Sequence, residues 1–288
     1  MLLELKNIKK YFPLRKGILE REKSYVKAVD GINLKIIPGE NLSLVGESGS
    51  GKTTVARLVL KLLRPDEGSI LWEGEDITAL REGQFRAYRR HIQMVFQDPY
   101  SSLDPRFTIR AIMKEAMTLE RLQYGSFGQV EKRSRELLEA VNLSGSILDR
   151  YPHEFSGGER QRIAIARALV LNPKLLILDE AVSSLDVIIQ EQLIKLLLDL
   201  QKKFYMTYFF ISHNLKIVKK ISHMIAVMYH GKIVEYGAAR AIFVNPLHPY
   251  TQQLLSAAFE YKVAQEKEIE LPAEGSLVEE QEGHWVLK

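Results

Sequence analysis

The segment GESGSGKTT, residues 46–54, has glycine, lysine and hydroxyl side chains at the spacing of a phosphate-binding loop, G-x-x-x-x-G-K-[ST]. Glycines let successive backbone N–H groups point at an anion, Lys52 can reach terminal phosphates, and the Thr53 hydroxyl can bind Mg²⁺. A glycine-rich turn is the alternative, but the apolar LSLV before the loop and the helical pattern after it favour a nucleotide site. The predicted nucleotide-binding residues of this loop are Gly46, Glu47, Ser48, Gly49, Ser50, Gly51, Lys52, Thr53 and Thr54.

A second chemical feature is the apolar run KLLILDE, which ends in two carboxylates. Paired acids at the end of a strand could merely cap the following helix. Beside a phosphate-binding loop, Asp179 is instead placed to hold Mg²⁺ through its water shell, and Glu180 to polarise the water that attacks a γ-phosphate. The pair therefore indicates hydrolysis as well as binding.

A third feature is the sequence FSGGERQR, in which Ser156, Gly157 and Gly158 precede an alanine-rich apolar helix. These residues could form a tight turn with a serine cap. They could equally form an anion site, because the N-terminus of a helix offers unpaired N–H donors to a phosphate. The residues alone leave both interpretations open.

The elements that must position these residues follow from hydrophobic periodicity. Two early strands flank a polar loop, two strands surround a Pro38-Gly39 turn, and LLILD, TYFFIS and MIAVMYHGKIVEYG indicate further strands. After Lys52 the pattern becomes helical, and we expect the helix to end at Arg64-Pro65. Its predicted apolar face contains Val55, Leu58, Val59, Leu62 and Leu63. Residues 81–150 have mostly helical spacing, and strands that alternate with helices predict a mostly parallel sheet.

Composition narrows the functional classes. The 288 residues are 46% hydrophobic and include no cysteine, which excludes disulfides, thiolate metal sites and iron–sulfur clusters. The net charge of +4 and the pI near 9.0 only weakly permit a nucleic-acid partner, because the basic residues occur as scattered pairs. We expect no signal peptide and no bilayer-spanning segment, so a membrane role would act through a partner. The acidic tail is expected to be a loosely packed extension.

Five motifs occur in the order GESGSGKTT, MVFQDP, FSGGERQR, LLILDEAVSSLD and ISHN. This order resembles the ATP-binding subunit of an ABC transporter, from about residue 3 to about residue 258. The resemblance implies an α/β fold: a P-loop NTPase (RecA-like) core with the ABC antiparallel β subdomain, an inserted α-helical subdomain and a short C-terminal extension. It places the nucleotide-binding domain at 1–245, its helical subdomain at about 88–155 and the extension at 246–288.

The same resemblance implies roles for individual residues in a nucleotide-bound dimer. Ser156, Gly157 and Gly158 of one subunit contact the γ-phosphate held by the loop of the other. Glu159 and Asp186 are expected among the nucleotide-binding residues as well. This sequence has Phe155 where leucine is usual and Glu159 where glutamine is usual. The first change keeps an apolar anchor, whereas the second places a carboxylate near the site.

Further roles come from the other motifs that the family shares. Gln97 resembles the glutamine that senses Mg²⁺ and the attacking water, and His213 resembles the switch histidine that binds the γ-phosphate. Phe12, favoured over its neighbour Tyr11, is expected to stack on adenine. The resemblance also implies a loop, Ser183, Ser184, Leu185 and Asp186, by which each subunit reads the other's site. Together with the loop residues, these give Glu180, His213 and Gln97 as catalytic residues and Thr53, Gln97 and Asp179 as Mg²⁺ ligands.

The segments QDPYSSLDPRFTI and NPLHPYTQQLL resemble importers of dipeptides, oligopeptides and nickel, and DEAVSSLD and RRHIQMVFQD resemble the nickel-importer subunit in particular. We therefore expect an ATPase subunit at the cytoplasmic face of the cell membrane. Its expected partners are a second ATPase subunit, two permease subunits and, indirectly, a solute-binding protein. The second ATPase is either another copy of this chain or, as is common in this subfamily, a paralogue. Residues 100–110 are expected to dock the permease.

There are two alternatives: a soluble ABC-type ATPase that acts on nucleic acid or ribosomes, and a small P-loop kinase. Neither explains the motifs as well.

Overall fold

The computed structural model describes residues 1–14, 24–98, 102–118, 127–259, 269, 271–272 and 275–288. The chain divides into two compact units. The first contains Met1–Arg81 and Phe209–Lys288, and the second contains Glu82–Tyr208. Among the described residues, no helix combines the length and the apolar character needed to cross a membrane.

The strands in chain order are β1 (Leu3–Pro13), β2 (Tyr25–Ile36), β3 (Asn41–Val45), β4 (Glu67–Trp72), β5 (Glu75–Asp76), β6 (Ile92–Val95), β7 (Leu175–Asp179), β8 (Thr207–Ile211), β9 (Met224–Tyr229), β10 (Lys232–Ala238), β11 (Leu277–Gln281) and β12 (His284–Leu287). The helices are α1 (Lys52–Val59), α2 (Glu82–Arg89), α3 (Ile109–Thr118), α4 (Phe127–Ala140), α5 (Gly157–Leu169), α6 (Val187–Phe204), α7 (Leu215–Ile221), α8 (Ala239–Val244) and α9 (Pro249–Phe259). Short 3₁₀ turns lie at Gly145–Asp149 and Pro152–Glu154.

The first unit contains an antiparallel sheet in the order β2-β1-β4-β5. Its inward side chains alternate with outward ones, since Leu3 and Leu5 are buried and the intervening Glu4 is not. This sheet confirms the predicted antiparallel β subdomain. The polar segment predicted between the first two strands lies largely at 15–23, outside the described residues.

A second set of strands in the first unit runs in the order β11-β12-β10-β9-β3. β3 pairs with β9 in parallel, and all five of its residues are buried, as expected for a strand covered on both faces. The phosphate-binding loop begins at the carboxyl end of β3 and leads into α1. Such an end of a parallel strand is where α/β proteins hold ligands.

The second unit combines helices with a parallel strand pair. β6 pairs with β7 in the register Ile92↔Leu175 to Val95↔Leu178. Every residue of β7 is buried, and α5 contributes buried Ile163 and Ile165 to the core. β7 ends at Asp179, so the paired carboxylates lie at a strand end, as predicted.

Helix α1 and strand β6 differ from the sequence-based expectation. Helix α1 ends at Val59, before the predicted Arg64-Pro65 stop, because Lys61 adopts a left-handed conformation with φ 56°. Leu62 is consequently 54% exposed and does not belong to the buried face of the helix. The strand β6 also interrupts residues 81–150, whose apolar spacing predicts mostly helices. A run of four apolar-rich residues fits either period, and its pairing with β7 decides in favour of a strand.

The acidic tail also differs from expectation at its end. β12 pairs antiparallel with β10, from Glu235↔Val286 to Gly237↔His284, so residues 284–287 extend the sheet. His284 is 1% exposed, and its Nε2 lies 2.7 Å from Oε1 of the fully buried Glu235. The prediction of a loosely packed extension is therefore wrong for this strand, because a buried carboxylate on β10 is satisfied by a tail residue.

Candidate functional site

The phosphate-binding loop depends on glycine at two positions. Gly46 and Gly51 have positive φ of 151° and 111°. A Cβ atom added to Gly46 would lie 2.1 Å from the Met228 carbonyl oxygen, and one added to Gly51 would lie 2.1 Å from the Ala28 carbonyl oxygen. No side chain fits at either position, so both positions require glycine.

Lys52 begins α1 and is 5% exposed. Its Nζ donates to the carbonyl oxygens of Gly46, at 2.8 Å, and Glu47, at 2.6 Å. Ser50 Oγ lies 3.4 Å from the same nitrogen. The ammonium group is therefore held within the loop, where a cation and backbone amides suit a polyphosphate anion. Thr53 and Thr54 follow on the first turn and are partly exposed.

Sequence reasoning did not select Tyr250 of α9, although this residue contacts the loop. Its hydroxyl oxygen accepts a hydrogen bond from the Glu47 backbone N–H at 3.0 Å. The residues are 203 positions apart, so no local pattern reports the contact. The segment NPLHPYTQQLL, which contains Tyr250, indicates a subfamily resemblance but not this contact.

The carboxylate pair lies at the end of β7, where Asp179 is 5% exposed. Glu180 has φ 47°, an uncommon conformation for a residue with a side chain. Its carbonyl oxygen accepts from both the backbone N–H of Ser183 at 3.0 Å and the Ser183 hydroxyl at 2.9 Å. Gln97 Nε2 donates to Glu180 Oε2 at 2.9 Å. The structure thus brings together Gln97 and Glu180, two of the predicted catalytic residues. The side-chain amide of Gln97 orients the carboxylate of Glu180, the proposed base.

The glycine pair lies at the start of α5, and Ser156 is the N-cap residue. The Ser156 hydroxyl accepts from the Glu159 backbone N–H at 3.3 Å, while the Ser156 backbone N–H donates to Glu159 Oε2 at 2.9 Å. This reciprocal pair is a capping box, in which glutamate and glutamine serve equally. Hydrogen bonds from the Ser156 backbone and hydroxyl lower the pKa of Glu159. The glutamate in place of the usual glutamine therefore has a structural role at the helix start.

Gly157 and Gly158 have different surroundings within the second unit. A Cβ added at Gly157 would lie 3.6 Å from Leu185 Cδ2, an ordinary contact, whereas one at Gly158 would lie 2.8 Å from Ile189 Cγ2. Asp186 caps α6 by accepting from the Ile189 backbone N–H at 3.0 Å. The loop of residues 183–186 thus lies beside Gly157 of the same chain.

The remaining predicted residues have positions but untested roles. Phe12 is 37% exposed near the end of β1, whereas the Tyr11 hydroxyl donates to the Asp30 carboxylate. Tyr11 is therefore engaged within the protein, and Phe12 remains the better candidate for adenine stacking. His213 is exposed just after β8, beside Asn214, which caps α7. The roles of Phe12 and His213 stay predictions.

Comparisons with known proteins agree with this geometry. A model of the ABC transporter family matches residues 29–183, and one described as the oligopeptide/dipeptide transporter C-terminal region matches residues 234–283. The oligopeptide transport ATP-binding protein AppF of Bacillus subtilis is 51% identical over 257 residues, which are 89% of this chain and 78% of that protein. The glutathione import ATP-binding protein GsiA of Escherichia coli strain K12 is 52% identical over 256 residues, 89% of this chain but only 41% of GsiA.

Solved structures give the same result for the fold. A dimeric ATP-binding cassette in a post-hydrolysis state, bound to ADP and Pi, matches with a TM-score of 0.72 at 27% identity, covering 83% of this chain and 99% of that one. The cbiO1 protein of Clostridium perfringens, part of an ABC transporter complex, matches with a TM-score of 0.72 at 25% identity, covering 90% and 96% of the two chains.

The fold and the phosphate-binding loop define a P-loop ATPase of the cassette type. The chain belongs to the ABC transporter family, as one of its ATP-binding proteins. ATP is its nucleotide and hydrolysis of ATP is its reaction.

Proposed function

We propose that this chain is the ATPase subunit that energises an importer of peptides, working as a dimer with a second, paralogous ATPase on two permease subunits at the cytoplasmic face of the membrane. One observation carries the proposal. The cassette region and the oligopeptide/dipeptide C-terminal region occur on one chain, at residues 29–183 and 234–283. An extracytoplasmic solute-binding protein would deliver the solute to the permeases.

The substrate class is the finer part of the proposal. The names of AppF and GsiA refer to oligopeptides and glutathione, which supports peptide-like solutes here. Nickel, to which DEAVSSLD and RRHIQMVFQD pointed, is the alternative solute, and neither name mentions it. A soluble role on nucleic acid or ribosomes is not favoured by these comparisons.

ATP supplies the phosphoanhydride bond whose hydrolysis drives the cycle, and Mg²⁺ supplies charge for its phosphates. The chemistry of the proposed residues suits both groups. Lys52 and the loop amides would hold the phosphates, and Thr53, Gln97 and Asp179 would hold the metal with oxygen ligands. Among the described residues, no group of three or more His, Cys, Asp or Glu could hold a metal alone. Mg²⁺ is typically bound in proteins through one or two side chains together with substrate phosphates.

Within this site, Glu180 would act as the general base on the attacking water, and the hydrogen bond from Gln97 would keep its carboxylate in one orientation. His213 of the same chain would contact the γ-phosphate. Ser156, Gly157 and Gly158 would complete the ATP site of the second subunit. An isolated chain would therefore lack the part of its own ATP site that the second subunit supplies.

The segment at residues 100–110 is proposed to dock the permease, although residues 99–101 lie outside the described residues. Its described part is held by hydrogen bonds near both of its ends. Arg167 Nη1 donates to the Ser102 carbonyl oxygen, and the Ile109 backbone N–H donates to the Arg150 carbonyl oxygen at 2.9 Å. Phe107 between them is 44% exposed, which suits a contact with a partner. A cysteine at Phe107 can be cross-linked without interference, since the chain has no native cysteine.

The experiment reconstitutes the chain with its partner ATPase and permeases in vesicles, and measures ATP-driven uptake of labelled peptides and of nickel. We expect peptide uptake, slow phosphate release by the isolated chain, and faster release with the partner. Nickel uptake without peptide uptake would reassign the solute. Phosphate release by the isolated chain at the full rate, independent of protein concentration and of the partner, would contradict the proposal that two subunits form each ATP site.

A further inference from the structure

The peptide unit between Gly46 and Glu47 is held on both sides. A trans peptide is planar, and its C=O and N–H groups point in opposite directions. The Gly46 carbonyl oxygen accepts from Lys52 Nζ at 2.8 Å, while the Glu47 N–H donates to the Tyr250 hydroxyl oxygen at 3.0 Å. Rotation of this unit would therefore break both hydrogen bonds and move the carbonyl that holds the lysine.

Tyr250 is itself fixed in place. The side chain is 2% exposed, and its ring centroid lies 4.1 Å from that of Tyr229 at the end of β9. Its backbone N–H donates to His248 Nδ1 at 3.1 Å. Burial raises the pKa of Tyr250 to about 12, so the phenol stays protonated at neutral pH. The hydroxyl is a rigid, neutral acceptor for the loop.

The support beneath Tyr250 is the buried carboxylate of Glu235 on β10. Its two oxygens accept from the backbone N–H groups of Leu247 and His248, each at 2.9 Å. His284 Nε2 on β12 lies 2.7 Å from the same carboxylate. One side chain thus fastens the start of α9 and the strand β12 to the sheet, and α9 carries Tyr250.

We propose that Tyr250 is a positioning residue of the ATP site, which fixes the Gly46–Glu47 peptide and through it the ammonium group of Lys52. The role of the region 234–283 would then include shaping the phosphate-binding loop. The inference rests on ATP binding by the loop and is independent of which solute is imported.

The test is Tyr250→Phe, which removes the hydroxyl but keeps the ring against Tyr229. The matched control is Tyr208→Phe, because the Tyr208 hydroxyl is also buried and donates to the Leu197 carbonyl oxygen at 2.7 Å, within the other unit. Calorimetric titration of the full chain with Mg-ATP gives the Kd, thermal unfolding gives the stability, and amide hydrogen exchange reports on the Glu47 N–H.

We expect Tyr250→Phe to raise the Kd for ATP about three- to tenfold, the range for loss of one hydrogen bond. The KM should rise by the same factor while kcat changes less than about twofold, since Lys52 binds ATP before and during the reaction. Exchange at Glu47 should accelerate. Tyr208→Phe should lower the Tm comparably and leave the Kd unchanged.

Three outcomes separate the explanations. A Kd within twofold of wild type, despite faster exchange at Glu47, would overturn the inference because the bond would not position Lys52. An equal rise of the Kd in Tyr208→Phe would assign the effect to general loss of stability and would also overturn it. Absence of ATP binding by the wild-type chain would instead count against the proposed function.

Discussion

Alanine at Gly157 and alanine at Gly158 should differ in their effect on stability. A Cβ at Gly157 meets Leu185 Cδ2 at 3.6 Å and fits, whereas a Cβ at Gly158 meets Ile189 Cγ2 at 2.8 Å and does not. Ile189 is β-branched and near the start of α6, so its side chain cannot easily rotate away. One of the neighbours must shift when Gly158 is replaced.

The magnitudes follow from two opposing terms. Glycine to alanine within a helix stabilises by about 0.5–1 kcal/mol. Overpacking against a stiff side chain costs about 1–3 kcal/mol. Gly157→Ala should therefore be neutral or stabilise by up to about 1 kcal/mol, while Gly158→Ala should be less stable than Gly157→Ala by about 1–3 kcal/mol.

Urea unfolding of both variants measures this difference. The steric origin is checked by Ile189→Ala, which removes Cγ2, and the double variant with Gly158→Ala should recover about 1 kcal/mol relative to additivity. If Gly158→Ala is as stable as Gly157→Ala, or if Ile189→Ala gives no recovery, a steric clash with Ile189 is refuted.

Phosphate release then tests function separately: Gly157→Ala should keep stability but lose turnover that depends on the partner. Full turnover would refute contact between this glycine and the partner's nucleotide.

Three further predictions address single groups. Glu180→Gln keeps an oxygen for the hydrogen bond to the amide donor described above, so ATP affinity should hold while phosphate release falls at least about a hundredfold; unchanged release would reassign the base. Glu159→Gln should preserve the capping box, whereas Glu159→Ala should lower unfolding free energy by about 1 kcal/mol in urea titrations; equal stabilities would disprove the cap. Burial lowers the pKa of His248, with nearby Glu235 opposing the shift, and its Nδ1 must stay unprotonated to accept from Tyr250. The contribution of neutral His248 to stability is therefore fully present above about pH 6.5, the ordinary histidine pKa, and is lost as the pH falls through the lower pKa of the folded state. If a His248→Asn variant showed the same shift of its urea midpoint between pH 7.5 and 5.5 as the wild type, His248 would not be the origin of this pH dependence.

Local motifs predicted the parts of the site that depend on neighbours in sequence. The phosphate-binding loop, the carboxylates after β7 and the serine cap of α5 each follow from a few consecutive residues, and the structure has them at the predicted elements. The early end of α1 at Lys61 was not predictable, because lysine has no special preference for a left-handed conformation.

Contacts between distant residues were outside the reach of sequence reasoning. The bond from Glu47 to Tyr250 and the pairing of His284 with Glu235 join segments 203 and 49 residues apart. Each is set by packing of the sheet and α9, and neither leaves a periodic signal. The acidic composition around residue 280 favoured an exposed tail, and only the antiparallel pairing of β12 with β10 shows that part of it completes the sheet.

The distance along the chain between Glu47 and Tyr250 also has a consequence for biosynthesis. At about 5–20 residues per second, a ribosome needs on the order of 10–40 s to add the residues that separate them. A nascent cassette therefore exposes its phosphate-binding loop well before the tyrosine exists, and the contact between Glu47 and Tyr250 cannot form until both segments have been synthesised. Competence to bind nucleotide tightly should accordingly mature after α9 has docked.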